Sequence, residues 1–202
     1  HARGTHLISR FTSTPAVALA GLLLACASPV ARAGDTGGPA VAPARASTLA
    51  TIADAYLAEL AAAFPETGTS NDLPGTDHGA LSENTPAGIA RWQAYEDRVL
   101  AQLRATRVDP DAPEADRVLR GVLLDEVERS AGVRVCRHEL WGVASYVNGW
   151  QAALTDLARI QPVGTDAHRE SALRRARAIP RYIDNEIALL KLGLREGYSS
   201  PK

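Results

Sequence analysis

Apolar residues recur at the spacing of an α-helix through most of the chain after residue 47. Side chains that follow one another at steps of about three and four residues lie on one helix face, so the pattern predicts amphipathic helices. Three such faces come first: Leu49, Ile52, Ala53, Tyr56 and Leu60; Ile89, Trp92, Val99 and Leu103; and Ala115, Val118, Leu119, Val122, Leu123 and Val127.

Capping residues and turn formers predict where these helices begin and end. The first helix is expected to end near Phe64, followed by a loop over residues 66–85 that is rich in turn formers. Thr85 as N-cap, with Pro86 at the first helical position, opens the second helix. Residues 111–114 resemble a capping box and are expected to open the third.

Further helices are predicted in the second half of the chain, around one ambiguous segment. Residues 133–147 begin with strand-like alternation, and we interpret them as helix because their neighbours are helical. Residues 150–160 resume helical spacing. Thr165 is expected to cap a helix that ends before Pro180, which then starts another helix closed by Gly197. The face of that last helix is Ile183, Ile187, Leu190 and Leu194. With no hairpin pattern, the predicted fold class is all-α, an irregular helical array.

Residues 1–33 have the composition of a signal peptide. Basic residues precede an apolar stretch over residues 16–27, and the first acid of the chain is Asp35. Ala31-Arg32-Ala33 is a cleavage site that would release a soluble protein beginning at Gly34. Leu23-Leu24-Ala25-Cys26 resembles a bacterial lipobox, which would make Cys26 a lipidated N-terminus. Both alternatives predict export, to the periplasm or to a lipid anchor in the bacterial envelope.

A flexible Gly/Pro/Ala linker is predicted over residues 34–47, where too few apolar residues occur to fold. Because Cys26 would be lipidated or removed, Cys136 is left without an intrachain partner for a disulfide. We expect Cys136 to be a small buried apolar residue rather than a nucleophile.

The charge of the chain narrows the classes of partner. A formal net charge of -1 lacks the basic excess of a nucleic-acid-binding protein, so no nucleic acid partner is expected. No apolar run reaches the roughly 20 residues that a membrane span needs, which leaves the lipid anchor as the predicted membrane contact.

No catalytic, cofactor-binding or metal-ligating pattern emerges from the residues. His138-Glu139 starts an H-E-x-x-H string, but Gly142 stands in place of the second histidine. His78 and His168 lie without ligand spacing. The acids Asp125, Glu126 and Glu128, like the Arg-rich run at 168–177, are interpreted as solvated surface. Trp141, Tyr146 and Trp150 are the candidate residues for the wall of a ligand cleft.

Seven short strings, taken in order, resemble the front portion of the bacterial "domain of unknown function 885" family. They are DAYL at 54–57, FPET at 64–67, RWQ at 91–93, RVCRHELW at 134–141, NGWQ at 148–151, LARIQP at 157–162 and IPRYID at 179–184. The resemblance implies a mostly helical, zinc-metallopeptidase-like fold of an exported protein. It also implies a metal site in the C-terminal half, on a His-Glu motif followed by Pro-Gly-His-His. That motif is absent here, so no metal or catalytic residue is carried over to this chain.

Two hypotheses about function follow. In the first, residues 48–202 are the truncated N-terminal segment of an exported zinc hydrolase with an uncharacterised substrate, such as a peptide. Its partner would be the missing C-terminal part, and the segment would be inactive alone. In the second, the chain is a self-sufficient helical binding or scaffold protein of the cell envelope. The first hypothesis predicts apolar faces, such as that of Ile183 and Ile187, left partly uncovered.

Overall fold

A computed structural model describes residues 48–142 and 149–199. Within these residues the chain forms helices and no strand, so the predicted all-α class is confirmed. The helices are α1 (Thr48–Ala63), α2 (Pro65–Ser70), α3 (Pro86–Ala105), α4 (Glu114–Val133), α5 (Trp150–Ile160) and α6 (Asp166–Arg195), with 3-10 turns at Arg134–Cys136 and His138–Leu140 between α4 and α5. The predicted signal peptide over 1–33, the linker over 34–47, Cys26 and Tyr146 lie outside the described residues.

The main apolar core lies between α1, α3 and α4. Each helix contributes residues of the face that its spacing predicted: Leu49, Ile52, Ala53 and Tyr56 from α1, Val99 and Leu103 from α3, and Leu123 and Val127 from α4. Burial of an aliphatic side chain contributes about 1.5–3 kcal/mol, so this cluster is the main source of stability for the first half of the fold.

An aromatic group extends this core towards the start of α3. The Trp92 ring lies 4.9 Å from that of Phe64, edge to face, and 5.8 Å from that of Tyr56. Tyr95 lies 5.4 Å from Trp92 by ring centroid. These separations are typical of favourable aromatic pairs. Trp92 is therefore a core residue and joins α3 to the end of α1.

The predicted loop over residues 66–85 was wrong in its first part. After α1 ends at Ala63, the chain forms the short helix α2, with Pro65 in its first turn. Proline suits that position because its missing N–H would have no partner there. The remaining loop is tied down by Glu66, whose Oε1 accepts hydrogen bonds from the backbone N–H of Ser82 at 2.9 Å and from its hydroxyl at 3.0 Å.

The predicted helix over 133–147 was also wrong, as far as the described residues reach. The 3-10 turns Arg134–Cys136 and His138–Leu140 occupy this segment, and residues 143–148 are not described. Arg137 separates the two turns with a left-handed backbone, φ 48°. An α-helix does not continue through such a residue, so the two 3-10 turns remain separate.

Pro180 does not start a new helix, contrary to prediction, because α6 continues through it. A proline inside a helix costs about 3 kcal/mol, since it removes one backbone hydrogen bond and crowds the preceding turn. Contacts between α6 and the loop before α3 offset this cost. On the C-terminal side, Asn84 Nδ2 donates to the carbonyl of Tyr182 at 2.9 Å and to Glu186 Oε1 at 2.7 Å.

Two predicted N-caps and one predicted C-terminal glycine are confirmed, and the predicted capping box is not. The Thr85 side chain accepts from the N–H of Gly88, and that of Thr165 accepts from the N–H of His168. Gly197 has φ +86° just after α6, in the region that glycine adopts without strain. The capping box at 111–114 does not form, because α4 begins at Glu114 with no side-chain cap.

None of the helices within the described residues is long and apolar enough to cross a membrane.

Candidate functional site

A groove lies between the first turns of α3, the 3-10 turns and the C-terminal half of α6. Its volume is about 360 Å³. It is lined by Pro86, Ile89, Ala90, Gln93, Arg134, Arg137, Glu139, Leu140, Leu189 and Leu192. Six of these residues are apolar and four are polar or charged, and a concave surface that combines the two kinds of side chain is a candidate functional site.

The close approach of α6 to the second 3-10 turn sets one wall of the groove. Leu140 is only 1% exposed, and a Cβ built on Gly193 would lie 1.9 Å from the Leu140 carbonyl oxygen. Only glycine leaves room for that carbonyl. Gly193 thus allows Leu189 and Leu192 to face the groove from α6.

Arg134 fastens the first 3-10 turn to α3. Its Nη2 donates to Glu96 Oε2 at 2.8 Å, and its Nη1 donates to Asp97 Oδ1 at 2.6 Å. Burial alone would lower the pKa of Arg134, but the hydrogen bonds to Asp97 and Glu96 outweigh it and raise the pKa. Arg134 is therefore a charged structural clamp on the floor of the groove.

Arg137 presents a second guanidinium to the groove from a strained position. Its left-handed backbone, with φ 48° and ψ 45°, is uncommon for a residue other than glycine and costs of order 1–3 kcal/mol. Arg137 Nε donates to Glu139 Oε1 at 2.7 Å, and this bond raises the pKa of the guanidinium. Its Nη1 makes no hydrogen bond or ion pair with any described residue, so that donor is available to a ligand.

Comparison with known families bears on the identity of the chain. The family described as "Bacterial protein of unknown function (DUF885)" matches residues 39–202. The chain belongs to this family. No curated protein and no solved structure matches the chain.

Two of the strings that resembled the DUF885 family lie at the groove. The string at 91–93 supplies Gln93 from α3, and the string at 134–141 supplies Arg134, Arg137, Glu139 and Leu140 from the 3-10 turns. Helical periodicity did not distinguish the residues of these two strings as groove-lining. Arg137, with its left-handed backbone, joins the two 3-10 turns that line the groove.

The tryptophans proposed as a cleft wall do not line this groove. Trp141 stacks on His138 with ring centroids 4.5 Å apart, and its Nε1 donates to the Cys136 carbonyl at 2.6 Å. Trp141 therefore braces the 3-10 turns from beside the groove. Trp150 begins α5.

Cys136 is an exposed free cysteine, so its predicted burial was wrong. The prediction relied on the general tendency of an isolated cysteine, here between Val135 and Arg137, to be a small buried residue. The 3-10 turn instead leaves both Cys136 and its neighbour Val135 exposed to solvent, Val135 to 82%.

The structure brings together two histidines that the sequence left apart. The rings of His78 and His168 lie 6.3 Å apart by centroid, and His78 Nδ1 lies 3.1 Å from Thr69 Oγ1. Across residues 48–142 and 149–199, no group of three or more His, Cys, Asp and Glu could hold a metal ion. The residues of this chain that the structure describes thus do not fit the zinc that the family resemblance implies.

Arg175 was predicted to lie on a solvated face and is instead 4% exposed. Its guanidinium donates to the carbonyl of Ala80 at 2.8 Å, to Gln161 Oε1 at 2.7 Å and to Thr69 Oγ1 at 3.0 Å. Burial lowers the pKa of Arg175. The arginine joins α6 to α2, to the loop before α3 and to the end of α5, which is a structural role.

Glu126 likewise does not lie on a solvated face, although Asp125 and Glu128 are exposed as predicted. It is 5% exposed in α4 and pairs with Arg129. Burial raises the pKa of Glu126, and Arg129 offsets this in part.

Proposed function

We propose that this chain supplies a helical wall of the substrate cleft of an exported zinc-hydrolase-like protein, and that the chain alone is inactive. The observation that carries the proposal is the groove between α3, the 3-10 turns and α6, lined by residues of the family strings. An uncharacterised peptide is the proposed substrate class.

The chemistry of the lining supports a peptide. Ile89 and Leu192, both half-buried, offer apolar contact for a side chain. Arg137 Nη1 and the side-chain amide of Gln93 are free of hydrogen bonds to described residues and can donate to peptide carbonyls. Donors at set positions, beside apolar contacts, fix the orientation of a bound chain.

The catalytic group of such a hydrolase would come from outside this chain. The described residues offer no set of metal ligands, and the family resemblance puts the His-Glu motif in the C-terminal half of a longer protein. Zinc would polarise the scissile carbonyl and activate water. The residues of this chain bind and orient the substrate, and the remainder of the protein is the proposed partner.

Exposed apolar residues at the 3-10 turns support a covering partner there. Val133 is 44% exposed and Val135 is 82% exposed, on either side of Arg134 in the sequence. Burying such side chains contributes to association. The metal-bearing part of the protein is proposed to pack against this edge of the groove.

Substitution in the groove tests the proposal. Ala90 is exposed and lines the groove, while Ala94 is exposed one turn further along α3 and does not line it. Ala90→Arg fills the groove without disturbing the core, and we expect it to weaken binding of a fluorescent unstructured peptide at least tenfold. Ala94→Arg, the matched control, should leave binding unchanged. Equal binding by both variants would contradict a substrate role for the groove.

Metal content tests the assignment of the catalytic group. The purified chain is expected to hold no stoichiometric zinc and to hydrolyse no peptide, because residues 48–142 and 149–199 contain no group of three or more side chains that could hold a metal ion. Elemental measurement after gel filtration checks this. One tightly held zinc per chain would mean that the chain carries its own site.

We propose that the protein is exported, because residues 1–33 have the composition of a signal peptide. Mass spectrometry of the N-terminus after expression in a bacterial host should find Cys26, lipidated, or Gly34 as the first residue. An uncleaved chain in the cytoplasm would remove the export proposal.

A second candidate function is a self-sufficient helical binding or scaffold protein of the cell envelope. The closed core of α1, α3 and α4 favours it, because such a core needs no other segment. This candidate predicts a sharp cooperative melt and no binding of a hydrophobic dye. The hydrolase proposal predicts dye binding that is relieved when the C-terminal part of a DUF885 protein is supplied.

A further inference from the structure

The outer surface of α6 carries an apolar seam. Its members follow one another at alternating steps of three and four residues: Leu173, Ala176, Pro180, Ile183, Ile187, Leu190 and Leu194. Leu173 is 56% exposed, Ile187 43% and Leu194 68%. This spacing is that of the a and d positions of a coiled coil, which normally face a second helix.

The seam is not what holds α6 to its own chain. The inner side of α6 is attached through Arg175, through the hydrogen bonds of Asn84 to Tyr182 and Glu186, and through the contact of Gly193 with Leu140. The contacts that attach α6 to its own chain therefore do not use the apolar seam. An exposed apolar stripe of this kind marks an interaction surface.

Four exposed charges flank the seam on one side, at intervals of seven residues. In order along α6 they are Glu170, Arg177, Asp184 and Lys191. Arg177, Asp184 and Lys191 occupy the e positions that follow the d residues of the seam, and Glu170 occupies the e position one heptad earlier. Charges at e positions set the choice and orientation of a partner helix. Their side chains form no ion pair or hydrogen bond with any other described residue. The sign alternates from one charge to the next.

We propose that two copies of this chain associate through α6, with the two helices antiparallel and the two-fold axis between residues 181 and 182. In an antiparallel pair an a residue faces a d residue of the other helix. This register sets Leu173 opposite Leu190 of the second copy, Ala176 opposite Ile187, and Pro180 opposite Ile183. The paired stretch is about 26 Å long at 1.5 Å per residue.

The alternating charges specify this register. Facing e positions meet in an antiparallel pair, so Arg177 lies opposite Asp184 of the second copy and Glu170 opposite Lys191, each pair occurring twice. A shift of one heptad in either direction would set Arg177 against Arg177 or Lys191, and Asp184 against Glu170 or Asp184. Like charges at these positions repel, so one register is favoured over its neighbours.

The occupant of the seam is therefore a second copy. Along α6 the four charges have the signs minus, plus, minus, plus, so a second α6 in the opposite direction places an opposite charge at each of them. A helix of any other sequence would need its own complementary charges. The proposal does not depend on the hydrolase role, because none of the seam residues lines the groove.

Sedimentation of the purified chain over a wide range of concentration tests the dimer. Ile187→Lys places a charge in the centre of the seam, and we expect it to leave the chain monomeric. Val118→Lys is the matched control, since Val118 is 51% exposed on α4 and lies away from the seam. Circular dichroism of each variant checks that the fold is kept. A wild-type chain that is monomeric throughout, or a dimer that Ile187→Lys leaves intact, would overturn the proposal.

Charge exchange tests the orientation and the identity of the partner. Arg177→Asp and Asp184→Arg each turn two of the four pairs into like charges and should weaken the dimer about tenfold. The double variant restores opposite charges and should recover wild-type affinity to within about twofold. Recovery requires that both partners carry the exchange. A double variant as weak as the single ones would show that the seam takes another helix, and would overturn the proposal.

Discussion

The contacts that join α1, α3 and α4 differ in kind from those that hold α6. Between α1, α3 and α4 the contacts are apolar and closed to water, with Leu103, Leu123 and Val127 at 0% exposure. α6 is held mainly by directed hydrogen bonds from Arg175 and Asn84 and by the close contact of Gly193 with Leu140, while its most regular apolar stripe faces outward. Burial needs only a matching face, but hydrogen bonds need partners at set positions. The first region is thus predictable from spacing, and the second is not.

The largest effect is expected in the apolar core. Leu103→Ala should lower the free energy of unfolding by about 2–5 kcal/mol, because it removes fully buried methyl groups and leaves a cavity. Leu194→Ala is the control, since Leu194 is 68% exposed on α6, and it should change the stability by less than about 0.5 kcal/mol. Urea unfolding of both variants at a concentration that keeps the chain monomeric checks this. Equal losses of stability in the two variants would contradict the difference proposed between the apolar core and α6.

Loss of the Arg175 network is expected to be the next largest effect. Arg175→Leu leaves the Ala80 carbonyl and the Gln161 side chain without their donor, at a cost of about 2–3 kcal/mol. Arg174→Leu, its neighbour, removes only an exposed ion pair with Asp77 and should cost less than about 1 kcal/mol. Limited proteolysis of the loop over 71–85 supplies a second measurement. If Arg175→Leu were neutral, α6 would be held by packing after all.

Two glycine substitutions test the contact of α6 with the 3-10 turn. Gly193→Ala puts a Cβ against the Leu140 carbonyl and should destabilise the chain by about 1–2 kcal/mol. Gly121→Ala in α4 meets nothing within 4 Å and should stabilise the helix by about 0.5–1 kcal/mol. Thermal melts compare the two. Opposite signs are the expected result, and a stabilising Gly193→Ala would contradict the close approach.

The smallest effect concerns the one buried acid of α4 that interrupts the apolar region. Because burial raises the pKa of Glu126, the folded chain keeps this proton to a higher pH than the unfolded chain does. Stability therefore falls as the pH rises from the ordinary glutamate value through the raised one. Glu126→Gln removes this ionisation. The free energies of unfolding of the variant and the parent should be equal at low pH. Towards neutral pH the variant should become the more stable of the two, as measured by urea unfolding at each pH. A difference that is independent of pH would contradict the burial effect.

Local signals were sufficient wherever a helix buries one regular face or ends at a specific residue. The faces of α1, α3 and α4, the caps Thr85 and Thr165, and the turn at Gly197 follow from spacing and backbone chemistry. The groove was not predictable in the same way. Its lining comes from three segments distant in sequence, and its shape depends on a left-handed arginine and on a glycine that meets a carbonyl.

By itself, the sequence determined the helical class, the family and the apolar core, because a periodic face can be buried by any similar face nearby. Only the tertiary structure decided that α6 runs through Pro180, that Arg175 is buried and that residues 134–140 form two 3-10 turns. Each of these three features has a local free-energy cost, which contacts with residues distant in sequence offset. The propensity of a proline or the charge of an arginine is local information, whereas the Ala80 carbonyl that receives Arg175 lies 95 residues away along the chain.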